Sequence, residues 1–220
     1  DGKSALRFKN RFPDAEIFSF EPTKSLYDKI SKLSSDKIKI FNYALSDFDG
    51  EKKFCHYEYL SGKTNSFYPM VENSKYKIQR TKNKNETETI KNVKVKKLDT
   101  IIEESGISEI DLLKIDTQGA EIEILKGAEK ILNSKKINVI ELEYILGIAH
   151  ETRSSLYELE EILHKNNYKL IAIEHSDNVI SVSNYQTNLI YVKDEIFDKI
   201  KQFHENNIDV KNITSKVDHY

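Results

Sequence analysis

The sequence is short of the features that announce many protein classes. It holds one cysteine, Cys55, so neither an internal disulfide nor a cysteine-built zinc cluster can form, a usage that fits a reducing compartment. No apolar run approaches the ~18–20 residues a membrane helix needs, and the opening DGKSALRFKN has no signal-peptide pattern. These gaps make a cytoplasmic location the expectation. Charge of one sign is missing too: 34 Lys and Arg stand against 36 Asp and Glu, a formal net charge of -2, so no bulk positive excess argues for nucleic acid or an anionic membrane as partner. The six histidines form no HxH or HxxxH pair, which speaks against a dedicated histidine metal site, and no metal is expected. Neither GxSxG nor GxxxxGK[ST] occurs, which disfavours a serine hydrolase and a phosphate-loop enzyme.

What is present is one domain's worth of alternating pattern. With 220 residues, 38% of them hydrophobic, a single compact core is the default. Apolar spacing predicts a helix over 4–12, a strand over 16–20, a helix over 24–33 and a strand over 37–45. Residues 61–92 are polar, rich in Lys and Asn and without a sustained period, and read as a long surface loop. Order resumes with a strand before Asp99, a buried strand over 110–116, a helix over 120–132, a strand over 137–144 and a helix over 155–166. Two last strands, 168–174 and 187–193, are separated by too few residues for a crossover helix and so pair antiparallel. This βα alternation predicts an α/β domain over 1–193 built on a mostly parallel sheet, followed by a C-terminal helix and tail over 194–220.

In open α/β sheets, ligands bind beyond the carboxyl ends of the strands. Polar residues just past strand ends are therefore the candidates: Glu21 after one strand, Ala44 to Asp47 after another, Asp116 to Gly119 after a third, and Glu141 and Glu143 on a fourth. A carboxylate in the position of Glu21 has two oxygens matched to a ribose diol; a plain turn before Pro22 is the competing reading. Asp116 is expected to face a cofactor or substrate, while Gly119 permits a tight turn or a close approach. Its strand offers one nearby cation, Lys114, expected to point elsewhere. Glu121 and Glu123 in a first helical turn favour the helix dipole and need no functional reason. His150, a few residues past the fourth strand, could serve as a base.

The blocks AEIFSFEP, NYALSDFDGE, VKKLDTII, IDLLKIDTQGAEIEILKGA and INVIELEY, in that order, resemble the FkbM family of S-adenosylmethionine-dependent methyltransferases over about residues 1–193. The resemblance implies a Rossmann-like class I methyltransferase fold with seven strands in the order 3-2-1-4-5-7-6, the seventh antiparallel. It also implies S-adenosylmethionine as cofactor, with Glu21 on its ribose, Asn42, Ala44 and Ser46 bordering the adenine, and Asp116 near the transferred methyl. Gln118 stands where the family often has glutamate. Asp1 and Gly2 look like the tail of the family's glycine-rich turn and join the cofactor-binding set. The first strand and the rest of that turn are not in the sequence, so a truncated record of a longer protein, with poor cofactor binding, is the expectation.

Methyl transfer to a hydroxyl needs in-line geometry and a base, for which Asp116, Glu143 and His150 are the candidates, reached under the loop carrying Ser66, Phe67 and Tyr68. The resemblance implies O-methylation of a sugar, glycan or other small hydroxylated metabolite, with no nucleic acid or membrane partner. A nicotinamide-dependent Rossmann oxidoreductase and a non-catalytic methyltransferase-like module are the alternatives.

Overall fold

The computed structural model describes residues 2–57, 65–71, 88–145, 154–175 and 186–207. Helix α1 (Lys3–Arg11) leads into β1 (Ile17–Phe20), α2 (Lys24–Ile30) and β2 (Ile38–Phe41). β1 and β2 pair in parallel, Ile17 opposite Ile38 and Phe20 opposite Phe41. The strand period of two separates their side chains by face. Ile17, Ile38 and Ile40 pack with Ile30 of α2, while Phe18, Phe20, Phe41 and Tyr43 form a ladder of neighbouring rings.

The single strand expected over 37–45 is two. β2 ends at Phe41, and β3 (Ala44–Leu45) joins a different sheet. The cause lies at Asn42, whose side-chain amide donates to the carbonyls of Glu21 at 2.9 Å and Pro22 at 3.2 Å. That anchors the chain beside β1 at the point where it turns off. In the second sheet, β5 (Glu88–Lys96) runs parallel to β3 and antiparallel to β4 (Gly50–Tyr57), with Tyr57 opposite Glu88. Residues 88–92, expected in the loop, are therefore paired strand; 58–64 and 72–87 lie outside the described residues.

The third sheet holds most of the core. β6 (Ile110–Ile115), β7 (Ile137–Ile145), β8 (Tyr168–His175) and β9 (Gln186–Lys193) lie in the order β6-β7-β9-β8, with β6 and β7 parallel and β9 antiparallel to both neighbours. The antiparallel closing pair is as the short connection required. One face presents Leu113, Ile115, Ile140, Leu142, Leu189 and Tyr191. Against it pack α4 (Glu121–Lys126), α5 (Glu129–Asn133) and α6 (Leu156–Lys165), through Ile124, Leu125, Ile131, Leu132, Leu159 and Leu163. Each fully buried aliphatic side chain contributes roughly 1.5–3 kcal/mol of transfer free energy. Helix α7 (Asp194–Asn207) follows β9.

The helix expected over 120–132 breaks into α4 and α5 at Gly127 and Ala128. Three segments meet there. The amide of Asp99, in α3 (Leu98–Ser105), donates to the Gly127 carbonyl at 3.0 Å. The Asp99 carboxylate accepts from the Lys130 and Ile131 amides at 2.9 and 3.0 Å, capping α5 from a distant element. On the other side, a Cβ on Gly127 would sit 2.0 Å from the Ser46 carbonyl oxygen.

The seven-stranded order is expected with its first strand missing from this sequence; among the described residues the strands divide into three sheets, two of them mixed in direction. Among the described residues β1 pairs only with β2 and β6 only with β7. A cavity lined by residues of β1 and the end of β6 lies where continuity would be needed. No helix among the described residues is long and apolar enough to cross a membrane.

Candidate active site

The cavity measures about 770 Å³, within the range of small-molecule and cofactor sites. One wall is the start of α1 and strand β1 with Glu21; the opposite wall is the end of β6, from Lys114 to Gln118, with Glu143 of β7. Leu45 and Phe54 supply apolar surface, and Asn65 and Phe67 line it from the segment after β4. Of the residues expected from sequence, Gly2, Glu21, Ala44, Asp116 and Glu143 line this one space. Asp1 and His150 lie outside the described residues.

Gly2 is in the left-handed region at φ 74°, and a Cβ there would press to 2.6 Å from Leu33. It is the cap residue of α1, so the first turn of that helix opens onto the cavity. Glu21 is fixed by its own turn, the Thr23 amide donating to one carboxylate oxygen at 2.8 Å. Burial pushes its carboxyl above the ordinary range.

Two expected residues are turned away. Asn42 is not in the lining; its side chain holds the carbonyls that position Glu21. Ser46 is fully buried, and its hydroxyl faces Asp47 and Glu123 at 3.2 and 3.5 Å. Glu123 also takes the Lys52 ammonium and the Tyr68 hydroxyl. Tyr68 thus ties its segment to α4, and burial with the Glu123 contact raises its phenol. Ser66 is also fully buried, its hydroxyl donating to the Gln118 carbonyl at 2.8 Å. The segment expected over the acceptor side therefore gives Phe67 to the cavity and uses Ser66 and Tyr68 as anchors.

The β6–β7 register sets Lys114 opposite Glu141, and the two form an ion pair of 2.7 Å with side chains only 17% and 16% exposed. Lys114 is expected to point elsewhere than Asp116; its ion pair is with Glu141, and both Lys114 and Asp116 line the cavity. Glu143, two residues beyond Glu141, accepts from the Gln118 amide nitrogen at 2.6 Å, and the same nitrogen reaches Asp116 at 3.4 Å. Burial, then the charged and hydrogen-bonded Asp116 carboxyl beside it, pushes the Glu143 carboxyl up to about 8. A carboxyl that keeps its proton beside a second acid is placed to share it, the condition for moving one.

Glu121 is buried and wholly consumed by structure. It accepts from the Thr117 hydroxyl and the Gly119 amide at 3.0 Å each, from the Thr117 amide at 3.4 Å and from the Ser154 hydroxyl at 2.7 Å. That network holds the turn after β6, where Gln118 and Gly119 have φ 57° and 112°. Sequence reading missed the roles of Gln118 and Asp99. A glutamine directly before a turn glycine, and an acid at a helix start, were the signals.

The family model described as methyltransferase FkbM domain matches residues 1–170. The chain is similar to methyltransferase sdnD of Sordaria araneosa, 28% identical over 59% of this chain and 57% of that protein. It is also similar to the 2-O-methyltransferase NoeI of Sinorhizobium fredii, 29% identical over 66% of this chain and 59% of the relative. A third relative, the hexuronic acid methyltransferase AglP of Haloferax volcanii, is 24% identical over 58% of this chain and 47% of its own length. The chain thus spans about half to three-fifths of these relatives. No solved structure matches it significantly.

Proposed function

Because the chain belongs to the methyltransferase FkbM domain family, we propose that it moves a methyl group from S-adenosylmethionine to a hydroxyl oxygen of a sugar, glycan or other small hydroxylated metabolite. The observation that carries this reading is the meeting of Glu21, Asp116 and Glu143 on one cavity. The acceptor class rests on the names of two relatives, one a 2-O-methyltransferase and one acting on a hexuronic acid.

The residues present fit the cofactor. With one Glu21 oxygen held by Thr23, its carboxylate is oriented to accept from a ribose diol. The first turn of α1 at Gly2, Lys3 and Ser4 suits a carboxylate, since its amides and dipole favour negative charge. Phe20 and Ala44 offer apolar surface for a base. The excess of carboxylates over Lys114, itself paired with Glu141, suits a cationic sulfonium. When bound, the cofactor supplies an activated methyl on positively charged sulfur.

The chain's own task is then geometry and one proton. The cavity walls would hold an acceptor oxygen in line with the bound cofactor's methyl, an alignment that would carry much of the rate. The Asp116–Glu143 pair, in its ionised form, takes the hydroxyl proton. The strand orders observed, β2-β1 on one side of the cavity and β6-β7-β9-β8 on the other, are read as the 3-2 and 4-5-7-6 parts of a class I methyltransferase sheet.

Calorimetry of the full-length protein with S-adenosylmethionine tests the reading. Binding is expected, and Glu21→Ala is expected to weaken it by about 10- to 100-fold, the loss of one or two charge-assisted hydrogen bonds. Absence of binding, or binding indifferent to Glu21→Ala, would overturn it.

A further inference from the structure

Gln118 is a residue that the methyl-transfer reading does not use, and it is placed unusually. It is 7% exposed and lies in the left-handed region at φ 57°, a conformation that side-chain-bearing residues adopt at a cost and keep only where the surroundings enforce it. Two contacts enforce it. Its main-chain carbonyl accepts from the buried Ser66 hydroxyl at 2.8 Å, and that hydroxyl oxygen in turn accepts from the Tyr68 amide at 3.1 Å. Its side-chain nitrogen donates to Glu143 at 2.6 Å and reaches Asp116 at 3.4 Å. The amide is turned with its nitrogen toward both carboxyl groups, the orientation that offers an ionised carboxylate a donor.

We propose that Gln118 is a positioning residue for the carboxyl pair, its amide holding Asp116 and Glu143 in register and favouring the ionised form. In this chain that place holds a neutral donor. Among the described residues the charged groups that face Glu143 are Lys114 from β6, Asp116 just after it and Glu121 from the start of α4, with Glu141 on its own strand already engaged by Lys114. A third acid at 118 would add repulsion to a site where burial and Asp116 already hold the Glu143 proton on. An amide compensates part of that without adding charge. The left-handed turn is the device that delivers it, because it swings the residue after Thr117 back toward the sheet end instead of out to solvent. The use of the proton rests on the methyl-transfer reading; the positioning itself does not.

The test follows the Glu143 carboxyl directly, by carbon-13 NMR titration of the full-length protein and its Gln118→Gly and Gln118→Met variants. Glycine deletes the amide and relieves the backbone; methionine deletes the amide and keeps shape and strain. Both are expected to move the Glu143 midpoint upward by about one pH unit or more, the loss of a hydrogen bond to a charged group, and to carry the alkaline rise of kcat/KM with it. Upward movement in both variants, with Gln118→Gly at least as stable as the parent, supports the assignment. An unmoved or lowered midpoint in either folded variant overturns it. A wild-type protein that transfers no methyl group while its midpoint still responds to residue 118 would sink the enzymatic reading and leave this one standing.

Discussion

Glu143→Gln separates the energetics of the carboxyl pair from its chemistry. In the unfolded chain this carboxyl loses its proton near the model-compound value of 4.5, and in the folded chain near 8, because burial and Asp116 disfavour the second charge. Between those pH values the folded state holds a proton that the unfolded state has released. Its contribution to stability is therefore fully present below about 4.5, declines as pH rises, and is gone above about 8. One pKa unit corresponds to about 1.4 kcal/mol, and the sharing of the proton with Asp116 reduces the full span, so a swing of about 2–4 kcal/mol is expected. Glutamine has the shape of the protonated acid and an N–H to offer Asp116, but it cannot ionise. Urea unfolding of both proteins at pH 5 and pH 8.5 reads the difference, and subtracting one from the other cancels every other titrating group. The two should be of similar stability at pH 5, with the variant more stable by about 2–4 kcal/mol at pH 8.5. Parallel pH profiles would show that Glu143 titrates normally and that the pair does not share a proton.

Two substitutions test the joint between α3 and the start of α5. Asp99→Ala leaves the Lys130 and Ile131 amides without their acceptor, at an expected cost of about 2 kcal/mol in urea unfolding; unchanged stability would show that α5 starts without this cap. Gly127→Ala drives a methyl to 2.0 Å from the Ser46 carbonyl oxygen and is expected to cost about 1–3 kcal/mol or more in thermal unfolding. A neutral outcome would mean that β3 and α4 can separate freely.

How far a feature could be read from the sequence follows from how local its cause is. The strand ends at Glu21 and Asp116 were legible because apolar alternation stops there and turn residues begin. The stripe of α6 was legible because Leu159 and Leu163 recur at helical spacing and both are fully buried. The break after Phe41 was not, because its cause, two carbonyls at Glu21 and Pro22, lies some twenty residues upstream and is invisible to a period. Ser46 sits past a strand end, as a ligand-binding residue should, yet its hydroxyl is committed to Asp47 and Glu123, a commitment only tertiary packing reveals. The division into three sheets is likewise a matter of non-local pairing.

The acids show why position alone cannot assign a role. Glu121 and Asp116 lie five residues apart around one turn, and both follow the same strand. Glu121 receives donors from Thr117, Gly119 and Ser154, on both of its oxygens, so its charge is matched and its lone pairs are occupied; it holds a turn. Among the described residues Glu143 receives one side-chain donor, Gln118, and has another acid for a neighbour, while it and Asp116 line the cavity. A carboxylate supplied with donors by its own turn is structural. One left short of donors, beside a like charge and facing a cavity, keeps its proton into the range where exchanging it with a ligand costs little. That difference in the supply of N–H and O–H groups, rather than the presence of acid at the strand end, is what sets Asp116 and Glu143 apart from Glu121 as the candidates for the proposed chemistry.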